Sequence, residues 1–172
     1  MMVILIFVNY TFSRYITTVD STGSISTVAK FNVEVNNVKL GEAQKFEIGL
    51  TREDTSKVYD NKIAPGTNGY FEIVINPAQT KVALDYSITL KVTQDDFKVD
   101  FTEYSINGGE KVEIPDDDKI YGEIPLNSTS EGFTDSDKKT IRIYWNWDQD
   151  ITNPTFIDTK IQASVIVAQK ID

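Results

Sequence analysis

Apolar and polar residues alternate most regularly along residues 82–92, VALDYSITLKV. Val82, Leu84, Tyr86, Ile88, Leu90 and Val92 are apolar. Asp85, Ser87, Thr89 and Lys91 are polar, and only Ala83 breaks their set. Successive side chains of a strand point to opposite faces, so this pattern predicts a long antiparallel strand with one face on a core and one in water. A helix would scatter the same apolar residues around its circumference. The stretch predicts the central strand of an all-β domain.

The same period recurs elsewhere. Ala29, Phe31, Val33 and Val35 alternate with polar residues and predict a strand, with a turn at Asn36-Asn37. Phe46, Ile48 and Leu50 predict a shorter strand, followed by a polar loop over 51–62. Pro65-Gly66 marks a turn before the strand at 69–76, where Phe71, Ile73 and Ile75 share a face and Pro77 ends the run. Phe97, Val99 and Phe101 share the face of another strand. Asn107-Gly108-Gly109 is the strongest hairpin signal, because Asn-Gly tolerates the positive φ angles of a type I′ turn. Val112 and Ile114 begin the return strand, and Pro115 and three aspartates interrupt it before the partly apolar segment 120–126. Residues 127–139 read as a surface loop. Ile141, Ile143, Trp145 and Trp147 share one face of the most aromatic strand, which leaves Tyr144 on the other. Ile161, Ala163, Val165 and Val167 define the last strand, whose other face carries Ile166 and Ala168. About eight or nine strands separated by turn chemistry, with no helical period, predict an antiparallel β-sandwich of jelly-roll type.

Residues 1–8, MMVILIFV, are uniformly apolar but too short to span a bilayer, which takes about 20 residues. They match the apolar part of a signal peptide, with small residues before Arg14 allowing cleavage there. No basic residue precedes the run, so the leader is either truncated at its start or atypical. The expected organisation is a leader at 1–13, a Ser/Thr-rich, β-branched arm at 14–28, and one sandwich domain at 29–172.

Composition narrows the function classes. The chain of 172 residues has no cysteine and no histidine. Disulfides, thiolate metal sites and cysteine nucleophiles are excluded, as are histidine-based triads and the His-Glu-x-x-His zinc site. The formal net charge of −9 disfavours nucleic acid and anionic membrane surfaces as partners. Membrane contact is expected only through an uncleaved leader. Asp148, Asp150 and Asp158 bracket an acidic loop with hard oxygen ligands suited to calcium, but without the spacing of an EF-hand. Asp116-Asp117-Asp118 is adjacent like charge without ligand spacing. Trp145 and Trp147 fit a core better than a sugar platform. Ser136 and Lys139 form a Ser-x-x-Lys pair in a polar loop, and the other motifs of that chemistry do not accompany it. No cofactor and no enzymatic activity are expected.

Three stretches occur in a familiar order. The leader ends TFSRY and is followed by VAKFNVEV, then IAPGTNGYFEIVINP running into VALDYSITLKV, and finally IRIYWNWDQD before FIDTKI. Over nearly its whole length the chain resembles the TasA/camelysin group of exported biofilm-matrix proteins, substrates of the SipW-type signal peptidase. The resemblance implies a secreted jelly roll in the extracellular matrix or at the cell surface. It implies partnership with signal peptidase during export, and then with copies of itself or with other matrix proteins. Some members polymerise by donor-strand complementation, in which the N-terminal segment of one subunit completes the sheet of the next. Arg14, Tyr15, Ile16, Thr17, Thr18 and Val19 stand where that donor would begin. The metallopeptidase label attached to camelysin finds no histidine here to carry it. The alternative expectation is a monomeric surface module that binds glycan or protein, with a hydrolase less favoured still.

Overall fold

The structure, a computed structural model, describes residues 31–40, 46, 48–53, 64–77, 80–92, 99–126, 132–148 and 161–170. Among these, strands make two antiparallel sheets. The larger has seven strands. β1 (Glu34–Val35), β2 (Val38–Lys39) and β3 (Thr51–Arg52) are short. β4 (Asn68–Asn76), β6 (Val99–Ile106) and β9 (Lys139–Trp147) form its centre, and β7 (Val112–Glu113) ends it. Its order is β2-β1-β4-β9-β6-β7, with β3 also on β4. The smaller sheet runs β10-β5-β8, from β5 (Leu84–Val92), β8 (Lys119–Ile124) and β10 (Ile161–Gln169). From β4 onward the chain passes repeatedly between the two sheets, returning to the same one only at the β6–β7 hairpin. This is the arrangement of an antiparallel β-sandwich.

Alternation produces one core between the sheets. Phe71, Ile73 and Ile75 of β4, Ile141, Ile143 and Trp145 of β9, and Leu84, Tyr86 and Ile88 of β5 are all buried in a single cluster. Burying each such aliphatic side chain contributes roughly 1.5–3 kcal/mol. The register explains some details. Tyr86 lies opposite Gly122 and covers it, so a side chain at position 122 would strike the ring. In β6 a bulge between Phe101 and Glu103 flips the alternation. Phe101 pairs with Trp145 on the inner face before it, and Tyr104 and Ile106 take that face after it.

The turns follow their chemistry. Asn36 and Asn37 have φ of 47° and 66°, and Asn107 and Gly108 have 52° and 71°, as type I′ hairpins require. Gly109 N–H closes the second hairpin on Ile106 O at 2.9 Å. The turn from Ala64 to Thr67 closes at 3.0 Å, with Gly66 at φ 80°.

Two expected strands are shorter than their pattern. Phe31 and Val33 are apolar and packed on the core, yet ladder pairing begins only at Glu34. Asn32 instead bonds to the buried Thr80, its N–H donating to Oγ1 at 2.9 Å and its carbonyl accepting from that hydroxyl at 2.7 Å. Phe46, Ile48 and Leu50 form no strand; Phe46 and Ile48 still pack on the core, and Leu50 is exposed. The pairing falls one step later, at Thr51 and Arg52, where Gly69 lets β3 approach. A Cβ at Gly69 would run into the Thr51 carbonyl oxygen.

Candidate functional site

Two surfaces stand out, one on each sheet. The first is the outer edge of β10. Its sequence, IQASVIVAQ, holds no charge, no proline and no glycine. On one side it pairs with β5 along all nine residues. On the other, no strand among the described residues pairs with it. Its inward residues are also incompletely covered. Ile161, Ala163 and Val165 are only partly buried, whereas Leu84, Ile88 and Leu90 on the adjacent β5 are buried. Ile166, on the outer face, is 62% exposed. Such an edge presents a row of backbone donors and acceptors beside an unfinished apolar layer, which is the geometry that accepts an added strand.

The second surface is the outer face of the large sheet. Register places Tyr70 opposite Tyr144 and Glu72 opposite Arg142. Arg142 donates from Nε at 3.0 Å and from Nη2 at 2.7 Å to Glu72 Oε1. The Arg142 guanidinium carbon lies 4.1 Å from the centre of the Tyr70 ring. Tyr70 and Tyr144 are 6.2 Å apart. Lys111 Nζ sits 3.7 Å above the Tyr144 ring and 3.4 Å from Glu103. The bulge in β6 brings Glu103 into this row, opposite Tyr144. Hydrogen bonding to Glu72 raises the Arg142 pKa above its already high value, so the guanidinium stays charged.

Beside this row β4 meets its short neighbours. β1 pairs at Ile75 and Asn76, and β3 pairs at Gly69 and Tyr70. Between them Asn36 substitutes for a strand. Its N–H donates to Val74 O at 2.9 Å, its Oδ1 accepts from Val74 N at 2.7 Å, and its Nδ2 donates to Glu72 O at 3.4 Å. A groove of about 380 Å³, open to solvent, occupies the gap.

The residues singled out from sequence distribute as follows. Residues 14–19, Asp150 and Asp158 lie outside the described residues. Asp148 is exposed just past the end of β9. Asp116, Asp117 and Asp118 are exposed in a turn that Asp118 N–H closes on Pro115 O at 2.9 Å. Ser136 is exposed in a 3-10 turn, its Oγ 2.7 Å from Thr134 Oγ1. Among the described residues no group of three or more acidic side chains is arranged to hold a metal ion. Trp145 and Trp147 are core residues, 1% and 8% exposed, and Tyr144 faces outward. The row of Tyr70, Glu72, Arg142 and Tyr144 escapes a sequence reading. Each residue is legible as an outward position of its strand, but only the register between β4 and β9 joins them.

No helix of the described residues is long and apolar enough to cross a membrane. The chain matches no protein-family model and no curated protein.

Proposed function

We propose that this chain is an exported structural protein of the TasA/camelysin type, found in the extracellular matrix or at the cell surface. Copies join by donation of residues 14–28 from one to the β10 edge of the next. One observation carries the reading: a nine-residue uncharged edge strand with a half-covered inner row. Natural edges of that length are normally blunted by charge, proline or a covering element, because a bare one recruits other strands. A β-branched arm such as ITTV at 16–19 supplies matching chemistry. Main-chain bonds would give the affinity, and alternate side chains would fill the row over Ile161, Ala163 and Val165.

Electron microscopy of protein beginning at Arg14, at neutral and mildly acidic pH, tests this. Acid weakens the repulsion among copies of net charge −9. Regular fibres are expected, lost on deleting residues 14–28 and lost again in Val165→Lys, which points a charge inward at the edge. Fibres that persist in both variants contradict the reading, as does a protein that stays monomeric throughout.

A further inference from the structure

We infer that the groove on the outer face of the large sheet is a binding site for a short stretch of a neutral glycan. This stands independently of strand exchange. The groove lies between the Asn36-Asn37 turn and the segment from Gly49 to Thr51, on a floor that includes Tyr70 and Glu72. Its volume falls near the lower end of small-ligand sites, which span roughly 300–1,000 Å³. A protein partner would need about 800 Å² of surface on each side, far more than the groove offers.

The lining chooses the ligand chemistry. The Asn37 amide and the Thr51 and Tyr70 hydroxyls both donate and accept hydrogen bonds, and the Glu72 carboxylate accepts them, as the hydroxyls of a sugar require. An aromatic side chain stands among them, and a sugar ring has C–H faces that pack on aromatic rings. Anions are disfavoured: the Arg142 charge is already met by Glu72, and the chain as a whole is acidic. A cation is offered little, because Glu72 is the one carboxylate among the described lining residues and Arg142 already neutralises it. A purely apolar ligand would strip water from the polar side chains of Asn37, Thr51 and Tyr70 without replacing its hydrogen bonds.

The lining is also held in place before any ligand arrives. Glu72 is fixed by two donors of one guanidinium, Tyr70 lies against that guanidinium and beside Tyr144, and Asn36 is fastened to β4 through both ends of its amide. Side chains mounted on a sheet and locked by neighbours lose little entropy on binding.

Affinity electrophoresis through gels containing dextran, hydroxyethyl cellulose or glycol chitin tests the site, with polygalacturonate as the anionic counterpart. At least one neutral polymer should retard the protein, and polygalacturonate should not. Tyr70→Ala should weaken retardation about tenfold. Gly49→Phe should do the same by crowding the groove that Gly49 helps to line, and open space around a Cβ there lets the fold accept the larger side chain. Buried-tryptophan fluorescence checks that each variant is folded. Val165→Lys, altered only at the far edge, should bind as the parent does, so failure of strand exchange and failure of glycan binding remain distinguishable. Retardation by polygalacturonate alone, by no neutral polymer, or equally in folded Tyr70→Ala and Gly49→Phe overturns the assignment.

Discussion

The two sheets treat their edges in opposite ways. The large sheet ends in fragments. β2 and β7 are two residues long, and β4 is flanked at its two ends by the two-residue β1 and β3, with the Asn36 amide bonded to the backbone between them. Little bare ladder is left beside β4. The small sheet ends in two different strands. β8 carries Lys119, Gly122 and Glu123, residues that discourage pairing. β10 carries none of these over nine residues. Among the described residues, the ends of the large sheet and the β8 edge are thus short or charged, whereas β10 offers nine uncharged residues to pairing. The difference teaches that exposure of an edge is selective here, and that the inner row beneath it is left half covered at the same place.

The largest expected effect belongs to the closed sheet. Trp145→Ala removes a fully enclosed indole and should cost about 3–5 kcal/mol by denaturant unfolding. Val165→Ala, on the half-covered row, should cost ~1 kcal/mol or less in the monomer. Comparable losses at both positions would erase the contrast between the sheets. Smaller again is the Glu72–Arg142 pair, whose side chains are 39% and 40% exposed. A double-mutant cycle with Glu72→Gln and Arg142→Met should return a coupling of about 0.2–1 kcal/mol. A value near zero would mean that the pair does not hold the outer face rigid. The smallest effect is one of pH. Burial, assisted by the nearby Tyr104, raises the Tyr86 pKa above the ordinary tyrosine value near ~10. The folded state holds that phenolic proton more tightly than the unfolded chain. The stability it contributes is complete below about pH 10 and is lost as pH rises through the raised value. Unfolding midpoints should therefore fall less steeply above pH 10 in Tyr86→Phe than in the parent, and identical slopes would remove Tyr86 from the pH response.

Strands with full two-residue alternation were legible in the sequence, because one buried face stamps its period on them. β4, β5, β9 and β10 appear where the pattern places them. The Asn36-Asn37 and Asn107-Gly108 turns were legible for a different reason: few residues tolerate positive φ. Alternation failed around Phe31 and Phe46. There the side chains enter the core from backbone that bonds to Thr80 or does not pair, so burial is present without a ladder. Pairing order was not legible at all. The sequence marks Tyr70, Glu72, Arg142 and Tyr144 only as outward residues, and nothing local says that β4 and β9 are neighbours. That no described strand pairs with the outer edge of β10 was hidden likewise, since a strand's own residues do not reveal which of its two edges is occupied.

The absence of cysteine allows the central claim to be tested by placing thiols one at a time. Chains carrying Thr17→Cys, Thr18→Cys or Val19→Cys would be mixed with chains carrying Ser164→Cys, oxidised, and resolved by mass. Strand exchange between copies predicts a disulfide-linked heterodimer for at least one arm position, and its loss when Val165→Lys is added to the β10 partner. If every mixture stays monomeric while a single chain carrying both cysteines closes on itself, the arm belongs to its own domain and the account of assembly is wrong.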